Sequence, residues 1–219
     1  MNRRWRIRVL GCLAVALVSS AACSNESSPS SRPFPAGDSA AASKELDTRK
    51  PVVPADEDRP IVPGHLYIPG IAVNSTVLTL GTVVEPDPFL GGRDVTAFEV
   101  PPDLARAGWW SDGPRVGAPG MAVLLGHSQV GGGHAVFNRI GELTPGAVVL
   151  VDAESGAARL GFEVSTVVRG IAKNDETALQ TVLAANAPTS DLALVTCSGP
   201  FSSSVSESAD NTVVFARRS

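Results

Sequence analysis

Short apolar runs separated by glycine and proline fill the chain from about residue 61 to its end. They are rich in Val, Ile, Leu and Thr, and the sequence contains these: HLYIP, IAVNSTVLTLGTVV, TAFEV, GMAVLLGH, GAVVLVDA, RLGFEVSTVVRGIA, DLALVTCS and NTVVFARR. Runs of this length with turn residues between them are typical of β-barrels and β-sandwiches. We therefore predict an all-β domain over residues 61–219, built as a small barrel.

Two segments have helical rather than strand spacing. Residues 135–143 place four apolar side chains on one face of a helix: Val136, Phe137, Ile140 and Leu143. Residues 175–186 begin with Asp175, a suitable N-cap, and repeat three apolar residues at helical intervals: Leu179, Val182 and Leu183. Two short helices beside the barrel are therefore predicted.

The residues before the domain have a different composition. Four arginines in the first eight residues precede an apolar stretch over residues 9–18, and small residues lead to Cys23. That stretch is shorter than the about 20 residues of a membrane-spanning helix, so residues 1–23 are predicted to be an export signal or a lipoprotein-type membrane anchor, with Cys23 as a candidate lipidation site. Residues 24–60 are rich in Ser, Pro, Ala and charge. They are predicted to be a disordered linker because they cannot bury enough apolar surface to fold.

Composition and charge argue against several functions. The net charge of the 219 residues is −4, and basic residues do not cluster beyond the first eight positions, so nucleic-acid binding has no support. The acidic residues are too dispersed to indicate a calcium site, and no cofactor is predicted. Lysine occurs only at positions 44, 50 and 173, a scarcity that suggests coding bias more than function.

Cys197 is the only cysteine outside the N-terminal 23 residues. Since an exported domain with one cysteine has no internal disulfide partner, its thiol is either an inert core residue or a group kept free for reaction. Cys197 follows the run DLALVT just as His127 follows MAVLLG, and the two would face one another if those strands are neighbours. An imidazolium beside a thiol favours the reactive thiolate and can protonate a leaving amine. His127 is preferred to His65, which opens the first strand, and to His134, in the loop VGGGHA.

A series of motifs resembles the bacterial sortases, the cysteine transpeptidases of the cell surface. The motifs occur in family order: HLYIPGIAVNSTVLTLG, FEVPPD, AGWWSDGPRVGAPG, LLGHSQVGGGHAVFNRIGELTPGAVVLV, LALVTCSGPF and DNTVVFAR. The resemblance is closest to the actinobacterial class F, or its relative class E. It implies an eight-stranded β-barrel with short helices, in which His127 is similar to the sortase histidine and Cys197 to the nucleophile.

The resemblance also implies a reaction and its participants. The Cys197 thiolate would attack the Thr–Gly carbonyl of an LPxTG-like sorting signal on a secreted protein, and His127 would protonate the departing amine. An amine acceptor such as a cell-wall precursor would then resolve the thioester. The enzyme would work outside the cytoplasmic membrane, held there by its N-terminal anchor, and would need no cofactor.

The sequence departs from the family at one position. Sortases place an arginine about a dozen residues after the cysteine, where it hydrogen-bonds the substrate and the oxyanion, but the stretch FSSSVSESADN contains none. Arg217 and Arg218 would lie some 15–20 Å farther along the strand, at about 3.3 Å per residue, and are not expected to replace it. Arg93 and Arg115 lie in segments that the sequence does not place. A missing donor would cost roughly 10²–10³ in rate unless backbone N–H groups or Asn211 compensate.

Two residues beside the cysteine are candidates for substrate binding. Asn211 opens the last strand, and Thr196 precedes the cysteine as it does in the family, although it would serve equally as an ordinary β-branched strand residue. The alternative function is a catalytically weak or inactive sortase-fold lipoprotein that acts as a binding module. An L,D-transpeptidase ranks last, because its Ser-His-Gly-Cys segment is absent from the sequence.

Overall fold

The structure is a computed structural model that describes residues 59–129 and 135–219. These residues belong to one compact unit of the chain, Thr48–Ser219. The predicted export signal with Cys23, nearly all of the predicted linker, and His134 lie outside the described residues. Within the part that the structure describes, no helix is long and apolar enough to cross a membrane.

The described residues form ten β-strands. In chain order these are β1 (Pro63–Ile68), β2 (Val73–Leu80), β3 (Thr82–Asp87), β4 (Arg93–Phe98), β5 (Ala107–Trp110), β6 (Ala122–Leu125), β7 (Val148–Ala153), β8 (Arg159–Ala172), β9 (Leu192–Ser202) and β10 (Glu207–Arg218). Eight of them close a barrel in the order β1-β2-β5-β6-β9-β10-β8-β7, and β3 pairs with β4 in a separate hairpin. The closed barrel confirms the predicted all-β fold.

One barrel strand does not correspond to any of the predicted runs. The run over residues 71–84 divides into β2 and β3 at Gly81, and every other run contains one strand. The additional strand β5 has only the four residues AGWW. It is held by parallel pairing with β2 and antiparallel pairing with β6. Its existence therefore depends on its neighbours in the barrel and not on a local pattern.

Of the two predicted helices, one forms. Helix α1 (Ala178–Asn186) begins shortly after Asp175, whose carboxylate accepts hydrogen bonds from the backbone N–H and the hydroxyl of Thr177, both at 2.9 Å. The prediction for residues 135–143 is wrong, because that segment forms tight turns and a 3-10 turn, Ile140–Glu142. Its backbone N–H groups bond three residues back, as from Ile140 to the carbonyl of Phe137 at 3.3 Å. The N–H groups of Val136 and Phe137 bond to the carbonyls of Leu104 and His127, so contacts with other segments fix these turns, which still bury Phe137, Ile140 and Leu143.

Two apolar clusters divide the side chains of the barrel between its inner and outer faces. The inner cluster draws residues from all eight barrel strands. The outer cluster lies on β6, β8, β9 and β10 and is covered by α1 and by the aromatic side chains of Phe98 and Trp110. Because side chains alternate along a strand, Leu194 belongs to the inner cluster and Val195 to the outer one. Cys197 continues the outer series.

Ser75 ties β2 to the segment that leads into β5. Its hydroxyl is buried, donates to the carbonyl of Ala105 at 3.0 Å and accepts from the backbone N–H of Ala107 at 3.0 Å. We expect Ser75→Ala to lower the free energy of unfolding by about 1–3 kcal/mol, because it leaves buried backbone groups unpaired. Urea denaturation measures this, with Thr76→Ser, exposed on the same strand, as a control expected to stay within about 0.5 kcal/mol of the unsubstituted protein. Equal midpoints for the two variants would contradict the prediction.

Candidate active site

His127 follows β6, whereas Cys197 lies inside the neighbouring strand β9, which does not end at the cysteine as predicted but continues to Ser202. β6 and β9 run parallel, with Leu125 opposite Val195. The pairing continues past the end of β6, since the N–H of Gly126 donates to the carbonyl of Val195 at 3.2 Å. His127 and Cys197 each lie two residues beyond the Leu125–Val195 pair, and therefore on the same outer face. β6 and β9 are therefore neighbours, which is the arrangement that the prediction required for His127 and Cys197 to face one another.

The imidazole of His127 is oriented by a backbone carbonyl. Its Nε2 lies 2.7 Å from the carbonyl oxygen of Pro101. Because a carbonyl only accepts hydrogen bonds, Nε2 carries a proton, and Nδ1 is the nitrogen left to exchange a proton with another group. The backbone of His127 is also held, since its carbonyl accepts the N–H of Phe137 at 2.9 Å.

The side chain in contact with the Cys197 thiol is Lys173. Its Nζ lies 3.2 Å from the Cys197 Sγ and 3.0 Å from the carboxylate of Glu207. The strand register explains why the Lys173 side chain can contact the sulfur. Asn211 on β10 lies opposite both Cys197 on β9 and Ile171 on β8, so Ile171 and Cys197 are at the same level of the barrel. Lys173 follows Ile171 by two residues and occupies the same face, so its long side chain extends back toward the sulfur.

The Lys173 ammonium is held in its charged form by the two groups that it contacts. Only 13% of its side chain is exposed. Burial is the largest single effect on its pKa and acts to lower it, but the Cys197 sulfur and the Glu207 carboxylate together outweigh burial. The pKa of Lys173 therefore lies above its ordinary value, and the side chain is positive at neutral pH.

The β3–β4 hairpin covers this cation. A 3-10 turn, Pro88–Leu90, joins the two strands, and its Phe89 ring centroid lies 5.4 Å from the Lys173 Nζ. Asp87 fixes the start of that turn by accepting the N–H of Phe89 at 2.7 Å. A cation over an aromatic face is attracted to it, so the hairpin both stabilises the ammonium and shields it from water.

Cys197 also borders a cleft of about 250 Å³. Its walls come from residues 128–129, from the turns that begin at Phe137, from residues 196–199, and from Ser208 and Thr212 of β10. Ser128 donates its hydroxyl to the carbonyl of Cys197 and so joins the loop after His127 to β9. Hydroxyl and amide groups lining a cleft beside a thiol can bind a peptide backbone.

Two predicted substrate-binding residues lie close to the thiol. Asn211 is paired directly with Cys197 and is half-buried. Thr196 is buried, lines the cleft and donates its hydroxyl to the carbonyl of Gly126 at 2.7 Å. The Thr196 hydroxyl therefore has a structural role, because its hydrogen bond joins β9 to the residue that follows β6.

The other predicted candidates lie elsewhere. His65 lies on β1, with three strands between β1 and β9 in either direction around the barrel, and bonds Asn74 at 2.6 Å. Arg217 and Arg218 are at the opposite end of β10 from the thiol, where Ala216 pairs with Leu192 at the start of β9. Arg93 forms an exposed ion pair with Glu176 at 2.8 Å.

Lys173 and Glu207 are the site residues that the sequence patterns did not reveal. Lys173 is the only lysine within residues 61–219, and the scarcity of lysine suggested coding bias more than function. A usable signal was present, since Lys173 directly follows an apolar strand run, as His127 and Cys197 do. What sequence spacing does not show is that a side chain 24 positions before Cys197 reaches its sulfur.

Comparisons with known proteins agree with this architecture. The sortase domain family matches residues 66–219. No curated protein sequence matches. The SrtA sortase of Actinomyces oris is 17% identical, with 75% of this chain and 87% of that chain covered and a TM-score of 0.50.

Two further solved sortases show the same range of similarity. Sortase E1 from Streptomyces coelicolor is 15% identical, with 72% of this chain and 87% of that chain covered and a TM-score of 0.48. Sortase A from Corynebacterium diphtheriae is 18% identical, with a TM-score of 0.48; the match covers 74% of this chain and 62%, less than two thirds, of that one. These likenesses concern the fold alone. Since the family match spans most of the sequence, the chain belongs to the sortase family.

Proposed function

We propose that this protein is a cell-surface sortase of class F or class E that cleaves an LPxTG-like sorting signal through a thioester on Cys197. The observation that carries the proposal is the position of the thiol. Cys197 is half-buried at the edge of a cleft, contacts a buried ammonium and lies on β9, the strand paired with the one that His127 follows. A thiolate stabilised by a neighbouring cation is the form in which cysteine acts as a nucleophile.

The proposed reaction has two halves that use the same groups. The Cys197 thiolate attacks the carbonyl carbon of the scissile bond, a C–S bond forms, and the carbonyl electron pair moves onto oxygen. When the intermediate collapses, the C–N bond breaks and the leaving amine takes a proton from Nδ1 of the His127 imidazolium. In the second half, Nδ1 accepts a proton from the incoming amine, which displaces the thiolate. Throughout the reaction Nε2 keeps its proton and donates it in the hydrogen bond to the Pro101 carbonyl.

The proposal extends to partners and location. The donors are secreted proteins bearing the sorting signal, and the acceptor is an amine such as that of a cell-wall precursor. Asn211 and Thr196 are proposed to contribute to substrate binding, supported by their positions beside Cys197. The chain is proposed to lie outside the cytoplasmic membrane, anchored through residues 1–23 and, if acylated, through Cys23. The reaction as proposed uses no cofactor.

A peptide library tests the function. The purified protein is incubated with LPxTG-like peptides, with and without several primary amines, and mass spectrometry follows an acyl adduct on Cys197. We expect an adduct with a subset of the peptides and a transfer product when an amine is present. Cleavage without transfer to any amine would reassign the protein to a hydrolase. If neither adduct nor cleavage appears across the library, the transferase proposal is wrong and the binding-module alternative replaces it.

His127→Ala separates proton transfer from nucleophile formation. We expect peptide turnover to fall by about 10²–10⁴-fold, because the leaving amine loses its proton donor. His65→Ala is the matched control, since His65 lies on β1 and away from the thiol. Steady-state turnover of the best library peptide measures both variants. Equal turnover in the two variants would show that His127 has no role in the reaction.

A further inference from the structure

The thiol of Cys197 belongs to a chain of charged groups contributed by three strands. The Lys173 Nζ, just beyond β8, lies 3.2 Å from the sulfur on β9 and 3.0 Å from the carboxylate of Glu207, the first residue of β10. The lysine side chain is 13% exposed and that of Glu207 47%. A buried ammonium is costly unless it is paired, so this cation depends on the sulfur and the carboxylate that lie beside it.

Other charged groups near the thiol have different contacts. His127, after β6, bonds the carbonyl of Pro101. Asp210 lies next to Gly199, where an added Cβ would collide with its carboxylate. Glu176, just before α1, pairs with Arg93 of the β3–β4 hairpin, and Arg169 donates to the carbonyl of Gly141. Within residues 59–129 and 135–219, Lys173 is the cation for which the structure shows a contact with the sulfur.

We propose that Lys173 is a catalytic residue that pairs with the Cys197 thiolate and then stabilises the oxyanion, and that Glu207 is the positioning residue that holds Lys173 in place. This rests on the proposed function for the oxyanion step, whereas the ion pair itself does not require a substrate. The thiol proton is released to solvent as the thiolate forms. Lys173 keeps its own proton, so its contribution is electrostatic.

The same ammonium serves both charged states of the reaction. When the thiolate attacks, the C–S bond forms and the negative charge moves from sulfur to the carbonyl oxygen. The negative charge develops on the oxygen of the carbon that is now bonded to sulfur. This oxygen is within reach of an ammonium on a flexible four-carbon side chain. Fixed positive charge near a developing oxyanion in a partly dehydrated site typically contributes about 10²–10³ in rate. Glu207 and the Phe89 ring limit the motion of Nζ.

The first test is the pH dependence of alkylation by iodoacetamide, with Cys197 modification followed by mass spectrometry in the full chain. The pH profile of the unsubstituted protein is the reference for every variant. Since removing a nearby positive charge disfavours the thiolate, Lys173→Met should move the midpoint to higher pH by about 1–2 units. It should also lower the rate at pH 7 by about 10–100-fold. Lys173→Arg should restore most of the rate, and Glu207→Gln should cost a few-fold.

The controls separate this role from a structural one. Arg93→Met removes an exposed cation from the covering hairpin and should leave the profile unchanged. In peptide turnover, Lys173→Met should lower kcat by about 10²-fold with a smaller change in KM. If Lys173→Met fails to fold, an alkylation rate at pH 7 that is the same for Glu207→Gln and the unsubstituted protein would overturn the proposal. Coincident profiles for Lys173→Met and the unsubstituted protein would overturn it as well. If no peptide is cleaved, the proposed transferase function is wrong. The pH dependence of alkylation still tests the ion pair between Lys173 and Cys197, because it needs no substrate.

Discussion

Cys197→Ala is expected to reduce acyl transfer to the uncatalysed background, a loss of about 10⁴-fold or more. The proposed chemistry passes through a C–S bond, and no other cysteine lies within the described residues to replace it. The fold should persist, since the side chain is small and half-buried, and the free energy of unfolding should change by no more than about 1 kcal/mol. Peptide turnover and urea denaturation measure the two quantities on the same preparation.

Cys197→Ser is the matched variant for this experiment. It keeps the size and hydrogen-bonding capacity of the side chain, but a serine hydroxyl is not ionised by a neighbouring ammonium at neutral pH. Turnover should therefore be lost as completely as with alanine. Because Cys12 and Cys23 are also present in the full chain, adducts must be located by peptide mapping. Turnover retained in both variants would show that the nucleophile is another group.

Phe137→Ala is expected to lower the free energy of unfolding by about 3–5 kcal/mol. Its ring is fully buried in the inner cluster of the barrel. It also packs against Gly126 so closely that a Cβ at position 126 would lie 2.5 Å from the ring. The substitution leaves a cavity beneath the residue that precedes His127. Activity should fall together with stability, because without the ring the segment whose Phe137 N–H holds the carbonyl of His127 is less firmly packed.

Phe201→Ala is the control for the loss of a phenyl ring. That side chain is 52% exposed on the outer part of β9, so its removal should cost less than about 1 kcal/mol. Denaturation of the two variants under the same conditions gives the comparison. Similar losses for the two variants would mean that the stability of the inner cluster does not depend on the Phe137 ring.

The strand content of the domain was predictable because it is locally encoded. Each long strand is a run of β-branched and aliphatic residues bounded by turn residues, and alternation along DLALVT already separates Leu194 from Val195. Strand β5 was not predictable, because four residues have no periodicity and are stabilised by pairing with two partners. The segment at residues 135–143 shows the opposite error. Its apolar spacing matched a helix, but the segment forms tight turns whose backbone also bonds to the residues after β6.

The sequence by itself determined an all-β domain, its resemblance to the sortases, and Cys197 and His127 as the candidate reactive pair. Their positions after apolar runs and the ordered motifs are properties of the chain that need no coordinates. Only the tertiary structure decided what contacts the sulfur. Lys173 reaches it directly and Glu207 holds that lysine, both from other strands, through the pairing of β8, β10 and β9. Such a contact depends on barrel closure and strand register, which long-range pairing determines, so no spacing in the sequence specifies it.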